Sequence, residues 1–410
     1  MIRWIVCLTF LLSHQAVTAK TWRVTANGKQ TIQAAINAAQ ASDTIIVEAG
    51  TYKQGNITVT KALTIIGKNY PVLDGENKHE IVSIKANYVT IEGFELRNSG
   101  RSSMNDVAAI KLYDAQRCTV RNNRLREVFF GIYNNFARNC VIENNSIISK
   151  PIDENASGNG IHAWKSDGML IRGNTITGHR DGIYFEFVTN SKIENNRSES
   201  NLRYGLHFMF SNDVTYTNNS FTNNGAGVAV MFSKGVHMYN NLFSENIGDA
   251  AYGLLLKEIS DSEIKNNRFE DNTIAIYMEG TNRIHAKENS FKNNGYALRI
   301  QASCNDNTVE KNNFIGNTFD VATNGSLVLN HFKNNYWDKY EGYDLNRNGI
   351  GDVPYRPVSM YSMIVEQNGA ALMLYRSFMV TLLDKAEKVI PSITPENLID
   401  NNPMMKPLSL

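Results

Sequence analysis

A pair of asparagines recurs along this chain at a spacing close to 22 residues. It falls at Asn122-Asn123, Asn144-Asn145, Asn195-Asn196, Asn218-Asn219, Asn240-Asn241, Asn266-Asn267, Asn312-Asn313 and Asn334-Asn335, with Gly173-Asn174 and Glu288-Asn289 in the gaps. Counted on the second residue of each pair, the steps are 22, 29, 22, 23, 22, 26, 22, 24 and 22. A second marker keeps the same phase halfway between: Gly131-Ile132, Gly160-Ile161, Gly182-Ile183, Gly205-Leu206, Gly227-Val228 and Gly253-Leu254, continued by Ala275-Ile276 and Ala297-Leu298. Two markers in one phase define a structural repeat, and a repeat of this length means a solenoid in which each unit packs only on its neighbours.

After each glycine the apolar residues alternate, as in Ile183, Phe185, Phe187, then Leu206, Phe208, Phe210, then Val228, Val230, Phe232. That is a strand with one face on a core. A 22-residue unit holds about three short strands and their turns. Leucine-rich repeats have a similar period but need a leucine ladder and a helical turn, whereas Gly, Asn and β-branched residues dominate here. The asparagines suit turns, because Asn tolerates left-handed backbone angles and its amide can bond along a stack. The expected fold is an all-β solenoid, a right-handed parallel β-helix, with an N-terminal capping helix and a partly helical C-terminal tail.

Solenoid ends must be covered. Ile32, Ala35, Ile36 and Ala39 recur at helical spacing within Thr31 to Ala41, which predicts a cap over 20–42 and a β-helix over 43–340. Residues 341–410 form an appendage, with an amphipathic helix expected from Leu372 to Val389. The first residues read as an export signal over 1–19: Arg3 supplies a positive charge, Ile5 to Leu12 an apolar run too short to span a bilayer, and Val17-Thr18-Ala19 a cleavage site. In a bacterium that places the mature chain in the periplasm. The net charge of +1 falls to zero once Arg3 is removed, which argues against a nucleic-acid partner.

The outward positions of the middle strands carry the chemistry. His207 and Met209 share a face, and Met231 matches Met209 one coil on, about 4.8 Å away. Thioether and imidazole suit Cu(I). His162 lies two coils earlier in the His207 row, with Trp164 beside it and Glu186 between. An apolar patch for a protein partner is the competing reading of the same face. Residues Asp344, Asn346, Asn348 and Asp352, with the Ile350 carbonyl, follow the order of a calcium loop, but Tyr355 stands where its last glutamate should be; a turn held by Asx hydrogen bonds fits equally. Cys118 and Cys140 stack on one inward row as buried thiols, a geometry that suits a disulfide poorly. A polysaccharide-active enzyme would need clustered carboxylates. Glu186 and Glu279 stand four coils apart, about 19 Å, beyond glycosidase reach, and Asp181 with Glu186 is the nearer pair.

Several long motifs are similar to the NosD family of nitrous oxide reductase maturation proteins. They are Arg203 to Ser211 (RYGLHFMFS), Gly227 to Ser233 (GVAVMFS), Tyr252 to Ile259 (YGLLLKEI), Asn317 to Thr323 (NTFDVAT), the run from Asn335-Tyr336-Trp337 through Pro357, Leu374 to Ser377, Glu387 to Pro391, and Pro403 to Pro407. The resemblance covers nearly the whole mature chain. It implies a periplasmic β-helix docked at the inner membrane on an ABC-type membrane subunit (NosY) with its ATPase (NosF), working with a copper-chaperone lipoprotein (NosL) and the reductase itself. Both copper delivery and sulfur supply to the reductase are linked to the family. No nucleotide site is implied, since this chain has no phosphate-binding loop. By the same resemblance Met360, Met363, Leu372, Met373, Phe378, Met379, Met404 and Met405 become an apolar docking surface, the alternative being that the helix caps the last coil.

Overall fold

The computed structural model describes residues 19–102, 105–150, 153–325, 329–390 and 398–409. All but the last residue of the expected export signal lies outside these. Among the described residues, short strands build three parallel sheets of fourteen, twelve and thirteen strands, each strand pairing with its counterpart one coil away. Strand Thr21–Val24 pairs with Thr44–Val47, so one strand precedes the capping helix in sequence. That helix, α1, is Ile32–Ala38, shorter than the spacing predicts. The Thr31 hydroxyl accepts from Ala34 N at 3.0 Å, Ala39 turns extended, and Ile32, Ala35 and Ile36 are buried on the first coils.

The asparagine repeat resolves into two jobs. The first position of the pair has left-handed backbone, with φ of 55° at Asn122, 54° at Asn144, 57° at Asn195 and 56° at Asn218. The second is buried and bonds along the solenoid axis: Asn196 Nδ2 donates to Asn219 Oδ1 at 3.0 Å and Asn219 Nδ2 to Asn241 Oδ1 at 3.0 Å. The ladder runs from Asn123 through Asn312 to Asn335. At Asn312-Asn313 it is the first asparagine that joins, with Lys311 taking the left-handed position. A second ladder, Asn201–Asn224–Asn246–Asn272–Asn294–Asn317, occupies another corner. Each ladder amide bonds the coils on both sides, as Asn219 does to Ile193 O and to Asn241 Oδ1, so the ladder fixes their register. Inside, Phe243, Phe269, Phe291, Phe314 and Trp337 stack with ring centroids 4.5, 5.0, 4.8 and 4.1 Å apart.

The far end is closed by the chain's own tail. Asp400, fully buried, continues the asparagine ladder: its carboxylate accepts from Asn334 N, Asn335 N, Asn335 Nδ2 and Trp337 Nε1 at 3.0–3.1 Å. Met404 N bonds Asn335 O, and Met405 N bonds Gly349 O. The residues expected to extend toward a partner therefore lie against the last coil. The single helix expected over Leu372 to Val389 is two elements, a 3₁₀ turn Gly369–Leu374 and helix α3, Phe378–Val389. They are separated by Arg376 at φ 64°, and Ser377 caps α3 by accepting from Val380 N. Before them helix α2, Met360–Gln367, lies over the outer face of the twelve-stranded sheet. There Tyr361 packs on Phe319 and Glu366 pairs with Arg299 at 2.9 Å.

Candidate functional site

Beyond that helical cover lies the rest of the outer face of the twelve-stranded sheet. Two rows run along it. One is Tyr133, His162, Tyr184, His207, Ala229 and Leu255; the other is Asn135, Trp164, Glu186, Met209, Met231 and Lys257. The expected stacking of Met209 on Met231 is therefore present in direct register, and both are half-buried.

His207 differs from expectation. It sits on the outward row but is only 5% exposed, because the rings of Tyr184 and Tyr204 close on it at 4.8 and 4.6 Å. Its Nδ1 lies 3.3 Å from Oδ2 of Asp181, a fully buried carboxylate that also has Arg203 Nε at 3.9 Å. The carboxylate accepts the Nδ1 proton, which leaves the lone pair on Nε2. That Nε2 is buried and has no protein partner. Asp181 is thus sealed from solvent rather than presented as an accessible acid, while burial and the nearby Glu186, on the outer row, push the Tyr184 hydroxyl up.

His162 is buried too, stacked on Tyr133 at 4.3 Å, with Asn159 Nδ2 3.0 Å from its Nδ1. Burial, helped by Arg180, holds it down to about 3. This neutral ring packs the row, and no contact joins it to the methionines. Trp164 meets Phe136 edge-on at 4.8 Å with Lys165 over its ring.

The alternation rule fails at the end of these strands. Phe187, Phe210 and Phe232, expected inside, are 44, 42 and 39% exposed and stack 5.1 Å apart. Each has φ near +52° (53°, 51° and 52°), and the left-handed residue turns the corner and throws the ring outward. Left-handed backbone costs a bulky residue roughly 1–2 kcal/mol. The three rings form an apolar ridge directly after Glu186, Met209 and Met231 in sequence. The signal that could have found Asp181 is its place before Gly182, one coil back from Tyr204 before Gly205.

Of the other candidates, the 344–352 loop is held by its own backbone. Asp344 accepts from Asn348 N and Gly349 N, Asn346 from Asn348 N, Asn348 from Ile350 N, and Asp352 from Leu345 N at 2.7 Å. Cys118 and Cys140 are free and buried. Each sulfur accepts the backbone N–H one coil back, from Val89 at 3.5 Å and Cys118 at 3.4 Å, the task that Ser191 and Ser262 perform further along the row. In the helical unit Met363 packs against the core, whereas Leu372, Met373, Phe378 and Met379 are 45, 89, 78 and 65% exposed. Among the described residues no three His, Cys, Asp or Glu groups converge as a metal site, and no helix is long and apolar enough to cross a membrane.

Three sheets of parallel strands stacked coil on coil define a right-handed parallel β-helix. The family 28 exopolygalacturonase of Yersinia enterocolitica shares the architecture with a TM-score of 0.63 at 13% identity, over 77% of this chain and 79% of that one. The surface adhesin PfbA of Streptococcus pneumoniae does so with 0.58 at 12% identity, over 72% and 87%. Similarity this remote speaks for the fold alone. Sequence comparison is more specific. The family model described as "Periplasmic copper-binding protein (NosD)" matches residues 142–348, half of the chain, and the chain belongs to that family. Two relatives are each named "Probable ABC transporter binding protein NosD". That of Pseudomonas aeruginosa is 29% identical over 87% of both chains, and that of Stutzerimonas stutzeri 27% identical over 87% of this chain and 86% of its own.

Proposed function

We propose that this chain is a non-catalytic periplasmic component of an ABC-type complex that assembles the copper centres of nitrous oxide reductase. In this reading it takes Cu(I) as cargo on the outer face of the twelve-stranded sheet while holding its partners. The observation that carries the reading is the direct register of Met209 on Met231, beside a histidine whose Nε2 lone pair is left free by Asp181. Two thioethers and an imidazole are soft to borderline donors of the kind Cu(I) prefers. Thioether donors bind such an ion without a charge to neutralise, which suits an ion that has to leave again. The exposed ridge of Phe187, Phe210 and Phe232 borders the methionines and supplies apolar contact area for the protein that gives or receives the metal. His162, Trp164 and Glu186 extend that face.

Leu372, Met373, Phe378 and Met379 make the second contact surface, where the membrane subunit NosY, carrying the ATPase NosF, would dock the chain at the inner membrane. The copper-chaperone lipoprotein NosL and the reductase would share the sheet face. Supply of sulfur to the reductase centre would use the same docking without the methionine pair. In cells, Met209→Leu with Met231→Leu keeps volume and removes sulfur. Reductase isolated from that strain is expected to carry less copper. Fully metallated reductase, with the variant present at normal level, would sink the cargo reading.

A further inference from the structure

Asp43 pins the N-terminal cap to the first coils. It sits in the turn between α1 and the strand Thr44–Val47 and is 3% exposed. One carboxylate oxygen accepts from Lys20 N at 2.7 Å. The other accepts from Trp22 Nε1 and Gln40 N, at 2.9 Å each. Hydrogen bonds from Trp22, Gln40 and Lys20 hold this carboxyl below the usual range, against its burial. Three elements therefore meet on one ionised group: the edge strand Thr21–Val24, the chain leaving α1 and the start of the next strand.

All three donors are neutral as long as Lys20 N is an amide. Lys20 turns its side-chain ammonium over the Trp22 ring instead, 4.0 Å from the centroid. A carboxylate withdrawn from water and held by neutral donors lacks a countercharge in contact with it. The shortest of the three bonds comes from the residue that follows the expected cleavage site, Val17-Thr18-Ala19. Ala19 and Lys20 are both exposed, so the bond between them lies outside the core. A cut further along would remove residues from the strand Thr21–Val24, which pairs with Thr44–Val47. A cut further back would leave the Lys20 nitrogen an amide.

We propose that a leader peptidase cuts the chain between Ala19 and Lys20, and that the freed α-ammonium of Lys20 forms an ion pair with Asp43. Water adds across the peptide bond, its hydroxyl going to the Ala19 carbonyl carbon and its hydrogen to the Lys20 nitrogen. The amine then takes a proton from solvent, since its ordinary pKa of about 7.7–8.0 lies above neutral pH. The donor to Asp43 becomes a charged one in the same place, and charge-assisted bonds are roughly twice as strong as neutral ones. Loss of the leader thereby tightens the first coil, and the precursor keeps a looser cap until it has been exported. The inference stands apart from the copper reading.

Two arms test it. N-terminal sequencing and intact mass of the chain recovered from the periplasm should give Lys20 as the first residue, and a start elsewhere would overturn the assignment. For the second arm, a removable fusion yields chains that begin at Lys20 or at Ala19 and run to the natural end. Hydrogen exchange at Thr44 N, which donates to Lys20 O, reads the cap. The chain beginning at Ala19 should exchange there at least about threefold faster. After Asp43→Asn the two chains should exchange alike. Equal rates with Asp43 intact, or a difference that persists after Asp43→Asn, would overturn the ion pair. A second variant leaves Asp43 untouched, in case its substitution prevents folding. In Lys20→Gln a glutaminyl cyclase closes the new terminus to a neutral lactam, with loss of ammonia. Closure should speed exchange at Thr44 N as the Ala19 extension does, and an unchanged rate would again overturn the pair.

Discussion

Replacing Asn219 by alanine should destabilise the solenoid by about 1–3 kcal/mol, although no ligand or apolar contact is touched. Its Oδ1 accepts both the backbone N–H and the Nδ2 of Asn196, at 2.9 and 3.0 Å, and its Nδ2 donates to Ile193 O, Thr217 O and Asn241 Oδ1 at 3.0 Å each. Alanine strands the buried backbone N–H of Asn196, whose Nδ2 still reaches Ile171 O and Glu194 O, and it removes the side-chain link to Asn241. Each stranded group costs about 1–3 kcal/mol, more than the net worth of the bonds themselves. Asn218, one residue earlier, is the control. It is left-handed at φ 56°, so Asn218→Gly should fall within about 0.5 kcal/mol of wild type. Urea unfolding followed by far-ultraviolet circular dichroism measures both. Because a solenoid can open coil by coil, native-state hydrogen exchange at Asn196 N supplies the local reading. An Asn219→Ala loss below about 1 kcal/mol, with the Asn196 amide still protected, would refute the ladder as a source of stability.

Three further outcomes follow from named contacts. Burial holds His162 down to about 3 and His179 to about 4, so the unfolded chain binds protons first. Stability should be full above the ordinary histidine range, near pH 6.5, and fall steadily toward pH 4, with a shallower fall in His162→Gln, measured by thermal melts across pH. Cys118 and Cys140 should resist thiol labelling until the chain is unfolded. Since Ser191 and Ser262 make the same bond, Cys118→Ser with Cys140→Ser should change stability by less than about 1.5 kcal/mol. Asp400→Ala leaves Trp337 Nε1 and two backbone amides without their acceptor, and exchange should accelerate in the last coils while the first stay protected.

Much of the fold was legible because a period needs no side-chain detail. The asparagine pairs gave coil length and phase, and so the row shared by Met209 and Met231. What they hid was physical. A rule of strict alternation assumes extended backbone, and at Phe187, Phe210 and Phe232 the backbone is left-handed, so three rings expected inside form an exposed ridge. The partner of His207 lies diagonally, one coil back, where no period points. The second ladder through Asn201 and Asn317 lacks the doubled letter that made the first one visible. The tail resisted reading because Asp400 acts only through the open end of the last coil. Leu372, Met373, Phe378 and Met379 are among the outward apolar residues of the appendage.

Cargo binding on this face requires sulfur from two successive coils to meet one ion. Cu(I) titration of the isolated mature chain against a chelator of known affinity, with X-ray absorption at the copper edge, examines that directly. The prediction is one tightly held Cu(I) with sulfur among its neighbours, and at least a tenfold weaker hold after Met209→Leu and Met231→Leu. Equal affinity in the double variant, or a copper shell free of sulfur, would contradict it.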